Sequence, residues 1–128
     1  MNIDVTGAAI PRLPRREIVA FCRRVLRRLR SDADLSIAFV DDKTMTDLNR
    51  RFRRKNRTTD VLTFPGDEIV ISIDQARRQA AEEKHALATE VRYLLLHGIL
   101  HFHGYDHETD QGEMNALELK LRRAAGLE

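Results

Sequence analysis

The sequence predicts an α+β fold, in which helices pack against a small mixed β-sheet of about four strands. Two observations lead to this prediction. Short alternating or β-branched segments indicate strands, whereas longer segments repeat apolar residues at helical spacing. Along the chain these segments follow the order β-α-β-α-β-β-α-α, which favours one mixed sheet with helices packed on it. Because the chain has 128 residues and shows no repeat or linker, residues 1–128 are predicted to form a single domain.

Four segments have the composition of strands. They are residues 2–6, 34–42, 59–65 and 67–74. The first is ended by Gly7, and the second alternates apolar and polar residues. Only Gly66 separates the third from the fourth, so the boundary between those two strands is left open.

The helices are predicted from apolar residues that recur every three or four positions. A first helix runs from Pro14 to about Arg30, and a second is marked by Met45, Leu48 and Phe52. A third helical region extends from residue 75 to about residue 103, either continuous or broken near residues 84–87. The last helix begins near residue 110, where "DQGE" has the form of a capping box.

The composition indicates a cytoplasmic protein with no membrane segment. No apolar run approaches the roughly 20 residues of a membrane span, and the N-terminus does not have the pattern of a signal peptide. The single cysteine, Cys22, excludes an internal disulfide and a cysteine-based zinc ribbon. It lies in an amphipathic pattern, so we expect it to be buried.

Positive charge is concentrated in the first half of the chain. Residues 1–65 hold 15 Lys and Arg against 8 Asp and Glu, whereas residues 66–128 hold 7 against 12. One block, "RRFRRKNR" (50–57), has six basic residues, one aromatic residue and no acid. This asymmetry suggests a polyanionic partner such as a nucleic acid, although a solvated arginine-rich surface would look the same.

Four of the five histidines fall within residues 97–107. His97 and His101 are four residues apart on a helical segment, so their side chains share one face. Gly104 can end the helix and turn the chain, which would bring His107 back to the same point. Three imidazoles leave a fourth position open on a zinc ion, as in catalytic sites. The sequence therefore predicts a single Zn²⁺ at the end of a central helix.

The same spacing occurs in the zinc-protease motif H-E-x-x-H-x-x-G-x-x-H, with one departure. Where that motif has its general-base glutamate, this chain has Gly98. A zinc peptidase is therefore a disfavoured alternative.

Three segments of the sequence match the motifs of one known family. "HGILHFHGYDH" (97–107) resembles its histidine signature, and "TTDVLTFP" followed directly by "GDEIVIS" resembles two further elements. The third segment, "LNRRFRRKN" (48–56), resembles an element that carries an arginine after an aromatic residue. The chain thus resembles the YbeY endoribonucleases, which mature ribosomal RNA in bacteria. This resemblance implies that His97, His101 and His107 bind zinc, and that Arg53 is the family's catalytic arginine.

The resemblance and the residues together predict a metal-dependent, single-strand-specific endoribonuclease in rRNA maturation. RNA phosphates would be bound by the rest of the basic block: Arg50, Arg51, Arg54, Lys55 and Arg57. Asp106 and His103 would support the metal ligands, and Thr59 and Asp60 are interpreted as turn formers. The ribosome or ribosomal proteins are candidate partners. A ribosome-assembly factor with a structural metal, which binds RNA without cutting it, is the other alternative.

Overall fold

A computed structural model describes residues 2–103 of the chain, and the predicted last helix lies outside these residues. The described elements are β1 (Ile3–Gly7), α1 (Arg15–Arg28), β2 (Leu35–Val40), α2 (Asp42–Arg53), β3 (Val61–Phe64), β4 (Glu68–Ser72), α3 (Ile73–Glu83) and α4 (Leu87–Phe102). Together they form an α+β fold, as predicted. That one domain extends over residues 1–128 stays a prediction.

The four strands form one mixed sheet in the order β1-β2-β4-β3. β1 and β2 are parallel, as are β2 and β4, whereas β3 pairs with β4 in an antiparallel hairpin. The hairpin turn is longer than the single residue expected, because β3 ends at Phe64 and β4 begins at Glu68. Gly66 has φ +89° in this turn, a conformation that glycine adopts without steric cost. The arrangement leaves β3 as an edge strand.

The two faces of the sheet are covered by different helices. One face contributes Ile37, Ile69 and Ile71 to a large core that includes the buried residues of α1 and α4. The other face contributes Leu62 and Val70 to a smaller core around Met45 of α2. Because side chains alternate between faces along a strand, neighbouring residues of β3 and β4 serve different cores.

The helical region predicted over residues 75–103 is two helices. Lys84 ends α3 with φ +58°, in the left-handed region that cannot continue a helix, and α4 starts at Leu87. α4 lies close to the sheet at Gly98, where an added Cβ would be 3.2 Å from Cδ1 of Ile69. The absence of a side chain at this position therefore permits the close approach of α4 to β4.

The buried cysteine has the packing role expected of it. Cys22 is fully buried in α1, and burial raises the pKa of its thiol to about 12. The thiol therefore stays protonated and unreactive near neutral pH.

Among residues 2–103, no helix combines the length and the apolar character needed to cross a bilayer.

Candidate active site

The last turns of α4 bring two histidines together. His97 and His101 are one helical turn apart, and the distance between their Nε2 atoms is 3.0 Å. Their ring centroids are 4.6 Å apart and the rings are inclined by 74°. Both side chains are half-buried. The predicted sharing of one helix face by these two residues is thus observed, with the ring nitrogens pointing at a common position.

These two histidines line a cavity of about 540 Å³ at the edge of the sheet. Its walls come from the end of α2, the loop before β3, β3 itself and α4. The lining residues are Arg53, Thr59, Asp60, Val61, Thr63, His97 and His101. Arg53 and the two histidines are far apart in the sequence, and the fold places them around one cavity.

Arg53 is positioned by the end of its helix. The N-cap residue of α2 is Asp41, whose carboxylate accepts a hydrogen bond 2.8 Å long from the backbone N–H of Thr44. The C-cap residue is Arg54, which is in the left-handed conformation with φ +57°. Arg53 is therefore the last residue of regular helix, and the basic block continues into a loop from residue 54.

The loop that follows is held against α2 by a buried asparagine. Asn49 is 3% exposed, and its side-chain amide donates a hydrogen bond of 2.9 Å to the carbonyl oxygen of Arg57. Its backbone carbonyl oxygen accepts from the backbone N–H of Lys55 at 3.3 Å. These two hydrogen bonds hold the basic loop against α2 at residues 55 and 57, although its positive charges repel one another.

Asp60 presents a carboxylate that is oriented by three donors. Oδ1 accepts from the backbone N–H of Val61 at 2.8 Å and from the hydroxyl of Thr59 at 3.4 Å, and Oδ2 accepts from the side-chain amide of Gln79 at 3.2 Å. An ionised carboxylate offers about four acceptor sites. Asp60 can therefore accept a further hydrogen bond from a group in the cavity.

Sequence reasoning missed the place of Thr59 and Asp60 in the site. It treated them as turn formers before β3, whereas both line the cavity. The available signal was their position in "TTDVLTFP", one of the segments that carries the family resemblance.

The loop is also tied to the body of the protein through Asp42. Its carboxylate accepts hydrogen bonds of 3.0 Å from the hydroxyls of Thr58 and Ser72 and pairs with Arg78 at 2.8 Å. Partial desolvation raises the pKa of Asp42, but the hydrogen bonds from Arg78, Ser72 and Thr58 outweigh it and hold the pKa below its ordinary value. This carboxylate joins α2, α3, β4 and the loop.

Replacing Asp42 with asparagine is expected to lower the free energy of unfolding at pH 7 by about 1 kcal/mol, because charge-assisted hydrogen bonds are lost at a partly exposed site. A carboxylate whose pKa is lowered on folding stabilises the protein above its unfolded pKa of about 3.9. That stabilisation is lost as the pH falls through the lower, folded value. Thermal melts should thus differ between Asp42→Asn and the natural chain at pH 7 and converge once the pH falls below the lowered pKa of Asp42.

The matched control is Asp47→Asn, which removes an exposed i,i+3 pair with Arg50 at 2.8 Å. Such a pair contributes little, so its melting temperature should change less. A pH-independent difference for Asp42→Asn, or none at all, would contradict the assigned role of this carboxylate.

The other predicted phosphate-binding residues are exposed and do not line the cavity. Arg50, Arg51, Arg54, Lys55 and Arg57 are exposed, and none of them is among the lining residues. Arg50 donates to Asp47. Their predicted contact with RNA phosphates stays a prediction.

His103 is oriented away from the other two histidines. Its Nδ1 lies 2.7 Å from the carbonyl oxygen of Ile99, and its Nε2 lies 2.8 Å from the hydroxyl of Ser31. These two contacts fix the end of α4 against the segment after α1. Any support of the metal ligands by His103 would act through this helix end.

His107, the third predicted zinc ligand, and Asp106 lie outside the described residues. Within residues 2–103, no group of three or more His, Cys, Asp or Glu side chains is arranged to hold a metal ion. The spacing of the two described histidines is nevertheless compatible with a shared metal ion. Two nitrogens at about 2.0–2.1 Å from a tetrahedral ion would be about 3.3 Å apart, close to the observed 3.0 Å.

Comparisons with known proteins identify the family to which the chain belongs. The sequence model of the family described as endoribonuclease YbeY matches residues 10–126. The endoribonuclease YbeY of Nautilia profundicola is 44% identical over 107 residues, which cover 77% of either chain. That of Solibacter usitatus is 39% identical over 120 residues, covering 90% of this chain and 82% of the relative.

A solved structure shares the fold. The solution structure of a Thermotoga maritima protein superimposes with a TM-score of 0.74 and 26% identity, and the match covers 96% of this chain and 88% of that protein. The family match extends through the arginine-bearing loop and the histidine-bearing helix. The chain belongs to the endoribonuclease YbeY family.

Proposed function

We propose that this chain is a metal-dependent endoribonuclease that cleaves single-stranded RNA during ribosomal RNA maturation. The observation that carries the proposal is the cavity in which Arg53, Asp60 and two convergent imidazoles meet. The relatives that are similar in sequence also support the proposal, because they are named endoribonuclease YbeY.

One Zn²⁺ held by His97, His101 and His107 would supply the Lewis acid of this site. When bound, such an ion activates water and polarises a phosphoryl oxygen. Because the two described histidines would bind through Nε2, each must carry its proton on Nδ1 in the loaded enzyme. Nickel, copper and iron also suit imidazole ligands, so the preference for zinc rests on the resemblance to the family.

Arg53 would stabilise the negative charge that develops on the phosphorus-bound oxygens. Its guanidinium can pair with two phosphate oxygens at once, and a donor that is already in place at a partly enclosed site costs no reorganisation during the reaction. Arg53 is exposed at the end of α2, and the loop that follows it is tethered by Asn49.

Asp60 would orient the group that attacks phosphorus. Three donors hold its carboxylate in the cavity, and its remaining acceptor site can take a hydrogen bond from a water or hydroxyl. Asp60 would thus offer a hydrogen-bond acceptor in the cavity, which Gly98 cannot.

The exposed basic residues of the block would bind the flanking RNA backbone. Arg50, Arg51, Arg54, Lys55 and Arg57 are exposed and belong to the same block as Arg53, and contacts to phosphates position a strand without reading its sequence. A substrate in ribosomal RNA would place the protein in the cytoplasm, with the ribosome or ribosomal proteins as partners.

A peptidase fits the site less well. In the extended protease motif, the general base stands next to the first histidine, and here Gly98 occupies that place. A Cβ at position 98 would already be 3.2 Å from Ile69. A glutamate there would meet the apolar core.

The proposal is tested by incubating the zinc-loaded full chain with a single-stranded RNA, its duplex and an unstructured peptide, with and without a chelator. We expect cleavage of the single strand alone and its loss in chelator, with the circular-dichroism spectrum kept. Peptide cleavage would favour the peptidase. Unfolding in chelator, or RNA binding with no cleavage, would favour an assembly factor with a structural metal.

A further inference from the structure

A second concave surface lies on the other side of the edge strand from the cavity. This apolar groove has a volume of about 530 Å³ and is lined by Val40, Leu48, Phe52, Phe64 and Val70, with Glu68 at its side. Phe52 is 62% exposed, and its ring packs edge-on against Phe64 at 5.2 Å between centroids. Among the described residues, no other large apolar side chain is so exposed.

The groove and the cavity are joined by neighbouring residues. Phe52 lines the groove and Arg53 lines the cavity, and in β3 the same holds for Phe64 and Thr63. Consecutive Cα atoms are about 3.8 Å apart. The groove and the cavity therefore adjoin at the end of α2 and along β3, and a strand whose phosphate pairs with Arg53 would pass the edge strand to reach the groove.

The charges around the groove suit a nucleotide better than a phosphate alone or an apolar helix. The basic block, which borders the groove through Phe52, has six basic residues and no acid, so the occupant should carry negative charge beside an apolar part. Glu68 is exposed on the groove wall, where its carboxylate repels phosphate and accepts hydrogen bonds from amino groups of bases. A nucleotide could place its base in the apolar groove and its phosphate at the arginines, and would thus match both surfaces.

We propose that the groove binds one nucleobase of the RNA strand, stacked on the ring of Phe52 next to the cleaved phosphodiester. This inference rests on the proposed function. Stacking on an aromatic ring tolerates every base, so Phe52 would add affinity and fix the position of the strand without demanding a sequence.

The test uses tryptophan as a probe, because the natural chain has none. The zinc-loaded Phe52→Trp variant is mixed in a stopped-flow instrument with a single-stranded RNA octamer or with an octamer of the same backbone that lacks bases. We expect rapid quenching of the tryptophan fluorescence by the RNA octamer and none by the abasic one. Quenching by both, or by neither, overturns the inference.

Affinity measurements on matched variants supply the second arm. Phe52→Leu should weaken binding of the RNA octamer about tenfold, while Phe52→Tyr stays within about twofold of the natural chain. On the abasic octamer the three proteins should bind alike. An equal loss on both octamers, or no loss on either, contradicts base binding.

Two further outcomes separate the inference from its alternatives. If Phe52→Leu changes the oligomeric mass without RNA, the groove is a contact between protein chains and the inference is wrong. If the natural chain cleaves RNA but the Phe52 variants bind RNA as it does, the proposed base-binding groove is wrong and the proposed function still stands. If the natural chain does not cleave RNA at all, it is the proposed function that fails.

Discussion

The His101→Ala variant is expected to lose its bound zinc and to cleave single-stranded RNA at least about 1,000-fold more slowly than the natural chain, since the ion shifts the pKa of its water from 15.7 to about 7. The Nε2 atom of His101 lies 3.0 Å from that of His97. Removal of one imidazole therefore leaves two ligands at most from this histidine set. Elemental analysis and a cleavage assay on the same preparation measure both effects.

The matched control is another histidine outside the cavity. His85 lies between α3 and α4, and its Nε2 contacts the buried Glu90 at 2.7 Å. Glutamine at this position can still donate to Glu90, so His85→Gln should keep its zinc content. Retained zinc together with unchanged cleavage in His101→Ala would refute the metal assignment.

Replacing Arg53 with alanine is expected to lower kcat about 100- to 1,000-fold, the loss seen when one fixed donor to a developing negative charge is removed. Zinc content should stay intact, because Arg53 lines the cavity from the end of α2 and the histidines come from α4. Steady-state kinetics on single-stranded RNA, paired with metal analysis, check the result. Loss of metal instead would show that Arg53 is structural.

Two variants make this test specific. Arg53→Lys keeps the charge but not the bidentate geometry, so it should recover only part of the lost rate. Arg51→Ala removes an exposed charge outside the cavity and should act on KM. The slope of log K against log salt should fall in magnitude by about 0.7 for each single-strand phosphate that the variant no longer binds. Equal kinetic losses in Arg51→Ala and Arg53→Ala would contradict a special role for Arg53.

Local patterns in the sequence were sufficient to predict most of the described elements. The helical spacing of His97 and His101 correctly indicated two imidazoles on one face, because four residues make about one helical turn. The break between α3 and α4 could only be given as one of two options. The break depends on the left-handed conformation of Lys84. Lysine rarely adopts this conformation, so the residue type does not predict it.

The composition of the cavity depended on tertiary structure. Asp60 enters it because β3 pairs with β4 at the edge of the sheet and Gln79 of α3 reaches the carboxylate. Neither interaction leaves a periodic signal in the sequence. The family resemblance pointed to the segment, whereas its chemistry became visible only from the hydrogen bonds.

The most direct measurement is the position of the metal in a crystal of the zinc-loaded full chain, located by its anomalous scattering. We expect one peak at about 2.0–2.1 Å from Nε2 of His97, Nε2 of His101 and a ring nitrogen of His107, with a water as the fourth ligand. A peak elsewhere, histidine rings that do not meet at the ion, or a fourth ligand from a protein side chain would contradict the proposed catalytic centre.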